Sequence, residues 1–484
     1  MRCPRRSTFL IVLGLAAAIP TMPTGGQAPQ RAPSTTGKLA LTTKSAEAQA
    51  EFWKGMEDWQ SYSYSSGQRH FRRAYALDNR FALARALATG GMTTPEMAAE
   101  RESALTDAAR QSTEEGILAL WWREKALGNV EKTKILLRAA MQLLPNEPGP
   151  ATEYLWASND GTNAKQLVDS ARAIRARFPT YGPLATVTSV LLMNAGDTAG
   201  ALRVAEEWTR IAPRTPASFG YYGGLFQQLG RYDEAEVQYR KGMQVLPARG
   251  DYGSDPATAL AEMYLMRGRT ADARAVATEA LSRAADASDS ALYLTDLAGT
   301  YFASADNRRG IQLLEQARQK SETVGGGVNP FPLDYFLGEA SALNGDASST
   351  RKYMGRLRLS TATDSALFFA NYANDYAYLG QLDSAMAYSD RLATISAVPW
   401  AGGISHHTRA VALAAAKQCA RARTEIAQAD SASLEMRVTR ADCEFQLGNR
   451  TAALAARDRA LATQEYVVLD PVYARHRTRL AQMK

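Results

Sequence analysis

Residues 216–249 read PASFGYYGGLFQQLGRYDEAEVQYRKGMQVLPAR, and their apolar positions fall into two sets. Phe219, Tyr222, Gly223 and Phe226 lie at i, i+3, i+4 and i+7, one face of a helix. Tyr232, Ala235, Tyr239 and Gly242 make the face of a second. Gly230 between them permits a tight turn, and Pro247 follows the end of the second helix. The pattern predicts a helical hairpin, with small residues where its two backbones approach closely.

The same layout recurs at 34-residue intervals. Residues 182–215 carry Ala185, Leu192, Gly196, Ala201, Ala205, Trp208 and Pro213 at matching places. Residues 148–181 carry Ala151, Tyr154, Leu155, Leu167, Ala171, Ile174 and Pro179, and residues 114–147 carry Ile117, Leu120, Trp121, Gly128, Leu137, Ala140 and Pro145. Toward the C-terminus the register loosens, but turn glycines return at Gly268, Gly345, Gly380 and Gly448. Around Gly380, residues Tyr372, Tyr376, Leu382, Ala385 and Leu392 repeat the pattern closely. The reading gives about twelve hairpins, starting near 48 and ending near 468.

This pattern resembles the tetratricopeptide repeat, and Gly230-Arg231-Tyr232-Asp233-Glu234-Ala235 is its closest local match. The whole chain is similar to secreted, many-repeat bacterial proteins of that family. The resemblance implies an all-α fold, an α-solenoid wound as a right-handed superhelix, with the first helix of each hairpin lining a concave face. A lone hairpin exposes one apolar face; stacking covers it, so each unit stabilises its neighbours.

The rest of the chain sets the frame. Arg2, Arg5 and Arg6 precede the apolar run Phe9–Ile19, and a polar exit follows near Ala28. Residues 1–28 read as a cleaved signal peptide, with an uncleaved N-terminal anchor as the less favoured alternative, so the expected location is the periplasm or outside the cell. No later stretch is apolar enough to span a membrane. Residues 29–47 are Pro-, Thr- and Ser-rich and read as a flexible lead. Residues 48–330 and 331–468 are then two parts of one array, with a break near Gly325–Pro330, and residues 469–484 resemble a capping helix.

Formal charge is +7, and removing residues 1–28 takes away three arginines and no acid, leaving +4. Basic and acidic residues are interleaved, so the expectation is no nucleic-acid partner. The mature chain keeps Cys419 and Cys443. In an oxidising compartment they form a disulfide; the alternative is two buried thiols.

Catalytic chemistry has no advocate. The four histidines include one adjacent pair, His406-His407, whose rings diverge by about 100° on a helix and do not share a metal. No Gly-x-Ser-x-Gly elbow or phosphate loop is present. The expectation is a protein that is not an enzyme, with no cofactor and no metal. Of the aromatic residues, Phe52, Phe71, Trp121 and Tyr154 fall on packing positions. The resemblance places Trp122 and Asn374 at one concave-face position of their units, with Asn371 and Tyr378 on nearby turns. Aromatic and amide groups there suit peptide or glycan. Related repeats that grip a C-terminal carboxylate resemble one another in having Lys before such an Asn; here Ala370, Gly220 and Leu118 stand there, so that clamp lacks its basic half. The sequence thus points to an exported scaffold binding a protein or peptide in its concave face. The alternatives are a module for cell-envelope glycan and a structural subunit of a larger envelope complex.

Overall fold

The computed structural model describes residues 39–461, apart from 61, 63, 89–94, 112, 127–128, 160–161, 246–254, 285, 324–329, 358–361, 399 and 430–432, together with 472, 476, 479–480 and 483. The segments expected as signal peptide, most of the expected lead and cap, the glycine run 325–327 and Gly128 lie outside the described residues. The chain is an all-α solenoid.

The described residues form twenty-four helices in antiparallel pairs, twelve hairpins. The first four pairs are α1 (Ala46–Gln60) with α2 (Tyr64–Leu77), α3 (Ala82–Ala88) with α4 (Pro95–Ala109), α5 (Thr113–Ala126) with α6 (Val130–Leu143), and α7 (Pro148–Ser158) with α8 (Ala164–Arg177). The next four are α9 (Gly182–Ala195) with α10 (Thr198–Ile211), α11 (Pro216–Gln228) with α12 (Tyr232–Gln244), α13 (Pro256–Met266) with α14 (Thr270–Ser282), and α15 (Ala287–Phe302) with α16 (Asn307–Thr323). The last four are α17 (Pro330–Leu343) with α18 (Ala347–Met354), α19 (Ala362–Tyr378) with α20 (Leu382–Ala393), α21 (Ala401–Ala415) with α22 (Cys419–Gln428), and α23 (Leu434–Gln446) with α24 (Arg450–Leu461).

Among the described turns, eight hairpins, from α9–α10 to α23–α24, close by one mechanism. The residue after the first helix swings into the left-handed region, which ends the helix and reverses the chain. Gly196, Gly230, Gly268, Gly345, Gly380 and Gly448 do this, with φ of 87° at Gly196 and 74° at Gly230. Ala305 and Lys417 make the same turn at φ 61° and 60°, without the freedom of glycine. Helix starts are fixed by prolines in the first turn of α7, α9, α11 and α13. Asp197, Asp255, Asp286, Asp346 and Ser433 cap further starts by accepting backbone N–H groups.

Within a hairpin, a small residue on one helix meets a ring on the other. A Cβ on Gly223 would lie 2.6 Å from the Tyr239 ring, so the α11–α12 approach requires glycine there. Tyr239 is fully buried and donates its hydroxyl to Gln227 Oε1 at 2.6 Å. Between hairpins, consecutive helices pack along the whole stack, α16 on α17 included. The principal contacts between helices two apart join only odd-numbered ones: α7 with α9, α11 with α13, α13 with α15, α17 with α19, α19 with α21, and α21 with α23. The odd helices therefore form the inner layer and the even helices the outer one, as a TPR-like stack requires.

One contact reaches far beyond neighbouring hairpins. Tyr62, between α1 and α2, packs against the cluster of Leu184, Val187 and Leu191, with its ring 6.0 Å from that of Trp208. Its hydroxyl reaches the Thr186 side chain, and Tyr221 donates to the Thr186 carbonyl at 3.1 Å. Arg69 on α2 pairs with Asp286 at the start of α15, at 2.9 Å. Leu39 and Thr42, the near end of the lead, donate to Glu147 and Glu115. The first hairpin thus reaches α9, α10 and the start of α15.

Candidate functional site

The polar and aromatic groups of the odd-numbered helices decide what that layer can hold. Trp122 on α5 is half-buried, with its ring 5.0 Å from Trp59 and 5.8 Å from Trp121. Lys125 Nζ lies 5.4 Å from the Trp121 ring and 5.7 Å from Trp122. The Trp122 indole N–H is buried without an acceptor. Trp122 is thus a contact between the first and third hairpins as well as an inner-layer residue.

Asn371, Asn374 and Tyr378 stand together on one face of α19, each half-buried. Asn374 Oδ1 is buried without a donor. Tyr378 gives its hydroxyl to Glu435 on α23. His407 meets the same carboxylate, with Nε2 2.6 Å from Glu435 Oε2. Burial alone would raise Glu435; His407, His476 and Tyr378 outweigh it and hold the carboxyl at about 2. His406 turns away to Glu425 on α22, 2.7 Å from Nδ1. The two histidines sit inside α21, not at a surface helix start, and face different helices, as the 100° step dictates. α5 packs on α3, α4 and α6, whereas α19 packs on α17, α20 and α21, so Trp122 and the α19 group occupy separate parts of the array.

Cys419 and Cys443 are free, buried thiols brought together by the antiparallel run of α22 and α23. Burial raises both. Among the described residues, no group of three or more His, Cys, Asp or Glu side chains is placed to hold a metal ion. No helix among them is long and apolar enough to cross a membrane.

The most unusual chemistry lies where sequence reasoning did not look, between α13 and α15. Asp255 is fully satisfied: Oδ1 accepts from Ala257 N at 2.8 Å and Thr258 N at 3.1 Å, and Oδ2 accepts from the Tyr293 hydroxyl at 2.9 Å. Asp296 is not. Its Oδ2 accepts from the Thr258 hydroxyl at 2.6 Å, but Oδ1 is buried with no donor, and the residue is 2% exposed. Glu262 stands beside it, half-buried on α13. Burial pushes the Glu262 carboxyl up to about 7 and Asp296 well above the carboxylate range. Farther along, Asp375 on α19 is 1% exposed, its Oδ2 has no donor, and burial raises it too. The signal was legible: Glu262 is the only charged residue in Pro256–Met266, and Asp296 interrupts the apolar stretch Ala291–Phe302.

No family model matches the chain, and no curated protein does. Solved structures share its helical-repeat build. A human IFIT1 dimer with PPP-AAAA is 13% identical, covers 87% of this chain and 95% of its own, and has a TM-score of 0.40. A tetratricopeptide repeat protein from Parabacteroides merdae is 13% identical over 60% of this chain and 96% of its own, with a TM-score of 0.34. TTC0263, a TPR protein of Thermus thermophilus, is 24% identical over 38% of this chain and 99% of its own, with a TM-score of 0.30. These likenesses concern the fold alone.

They do correct one expectation. The exclusion of nucleic acid as a partner does not stand, because a protein of this build is solved with PPP-AAAA and with m7Gppp-AAAA. The exclusion rested on net charge and an export signal, and an anion contact depends instead on local charge. Here Arg423, Arg440 and Arg459 line one cavity of about 470 Å³ between α22, α23 and α24, with Glu444 as its acid.

Proposed function

We propose that the chain is a non-catalytic binding scaffold that takes a segment of another protein, or a peptide, onto the surface lined by its odd-numbered helices. The observation that carries this reading is the seat of Tyr62. The array already holds a stretch of its own polypeptide through a buried aromatic anchor and the flanking Arg69–Asp286 pair. That division of labour is how peptide-binding surfaces work: a ring supplies area and a charged pair at the edge sets register. Asn371, Asn374 and Tyr378 are the contacts proposed for the ligand on α19, and Trp122 the contact on α5. The leader at residues 1–28 supports export, and the mass of the mature N-terminus tests it.

Selection from a random-peptide display library against the full chain tests the binding. Enriched sequences should lose about tenfold in affinity on Asn371→Ala or Asn374→Ala, the scale of one lost buried polar contact. Absence of any enriched sequence, or enrichment indifferent to all inner-layer substitutions, overturns the reading. Retention on peptidoglycan or on an oligoadenylate instead would assign the surface to glycan or to nucleic acid.

A further inference from the structure

We propose that Glu262 and Asp296 receive the lysine or arginine side chain of a bound peptide. The inference rests on the peptide-binding reading and names the chemistry of its ligand. Asp296 carries an oxygen that no donor satisfies, in a residue almost wholly removed from water. A buried acceptor left empty destabilises the fold, and an ionised one more so. Folded proteins rarely keep such a group without a use for it.

Its surroundings sharpen the point. Thr258 already gives its one hydroxyl hydrogen to Oδ2. The charged groups that act on Asp296 are Glu262 and Asp255, both acids, and no cation is among them. Asp255 is consumed by its own cap and by Tyr293. What the pair lacks is therefore positive charge and N–H donors together. Among the described residues no cluster can hold a metal, which leaves an organic cation. A guanidinium brings five donors in a planar fork and an ammonium three, and either would satisfy Asp296 Oδ1 while neutralising Glu262. The raised carboxyl of Glu262 agrees: its environment disfavours the charge until a counter-ion arrives.

Position fits as well. Glu262 and Asp296 sit on adjacent inner-layer helices bridged by the Thr258–Asp296 bond. The site lies just beyond the α9–α11 stretch that Tyr62 occupies. Asp375, two odd helices farther on, is a second acid with an oxygen that no donor satisfies, but it is packed inside beside Gly338 and is no part of this site.

The test titrates the full chain with three labelled peptides, each three repeats long: Gly-Ser-Arg, its neutral isostere Gly-Ser-citrulline, and Gly-Ser-Glu. The arginine peptide should bind about tenfold tighter than the citrulline peptide, the scale of one charge-assisted pair. Glu262→Gln and Asp296→Asn should abolish that ratio and leave citrulline-peptide binding unchanged. Circular dichroism checks the fold, and Glu262→Gln, at a half-buried position, serves if Asp296→Asn does not fold. Equal affinity for the arginine and citrulline peptides overturns the inference and leaves the peptide-binding reading intact. So does an arginine preference that survives both substitutions. Binding of no peptide, with display selection also empty, overturns both.

Discussion

Glu262→Gln should make the array more stable at pH 8 and leave it unchanged at pH 4. The carboxyl is raised from 4.5 to about 7 because burial disfavours its charge and no cation offsets it. Below 4.5 both the folded and the unfolded chain carry the proton, so the group contributes nothing. Between 4.5 and 7 the folded chain holds a proton that the unfolded chain has released, and stability falls as pH rises. Above 7 the full cost of a charge in the folded chain is felt. The whole shift corresponds to about 3 kcal/mol. Part of the side chain still meets solvent, so about 1–2 kcal/mol is expected. Glutamine keeps the shape and removes the charge. A repeat array registers such changes locally, so the assay is hydrogen exchange of the α13 and α15 amides, variant against wild type at each pH. Exchange should slow by roughly 5- to 30-fold at pH 8 and match at pH 4. Equal exchange at pH 8, or the same slowing at both pH values, refutes the reasoning.

Three other outcomes follow from the geometry. Ala305→Gly and Lys417→Gly relieve left-handed backbone at two hairpin turns, and each should raise the denaturation midpoint by an amount worth about 1 kcal/mol; a lowered midpoint contradicts the turn assignment. Glu435 is held at about 2, so its contribution is present above about 4.5 and lost as pH falls toward 2. Glu435→Gln should therefore cost about 2 kcal/mol at pH 7 and little at pH 2.5, read from urea unfolding at both pH values; an equal loss at both would show that packing, not charge, is at stake. Tyr62→Ala should loosen the first hairpin by about 2 kcal/mol, speeding exchange in α1 and α2 by roughly 30-fold while α19 and α20 stay unchanged; unchanged exchange in α1 and α2 would mean the Tyr62 seat contributes nothing.

The architecture was legible because it is written locally. One glycine, two alanine faces and one proline recur at fixed offsets, and each has a single conformational meaning. The six turn glycines of the pattern that lie among the described residues all adopt positive φ. Turns without glycine are harder to read, since Tyr62, Ala305 and Lys417 carry no sign of left-handed backbone in their identity. Tyr62 is an anchor on α9 and α10, and nothing in a local window links positions so distant. The α13–α15 acids carry no aromatic or amide signal; their only mark in the sequence is an acid inside an apolar helix. Asn374 was found by register, and its unsatisfied oxygen could be learned only from the packing around it.

The Arg69–Asp286 pair changes how this chain must fold. A linear stack builds from nearest-neighbour contacts, so it can nucleate anywhere and fray from either end. Tying α2 to the start of α15 adds a contact of very long sequence separation, whose closure entropy must be met before it helps. Together with the Tyr62 seat it raises the cost of peeling away the N-terminal end alone, while the hairpins from α17 onward have no such tie among the described contacts. Refolding should accordingly show a late phase that Arg69→Ala removes.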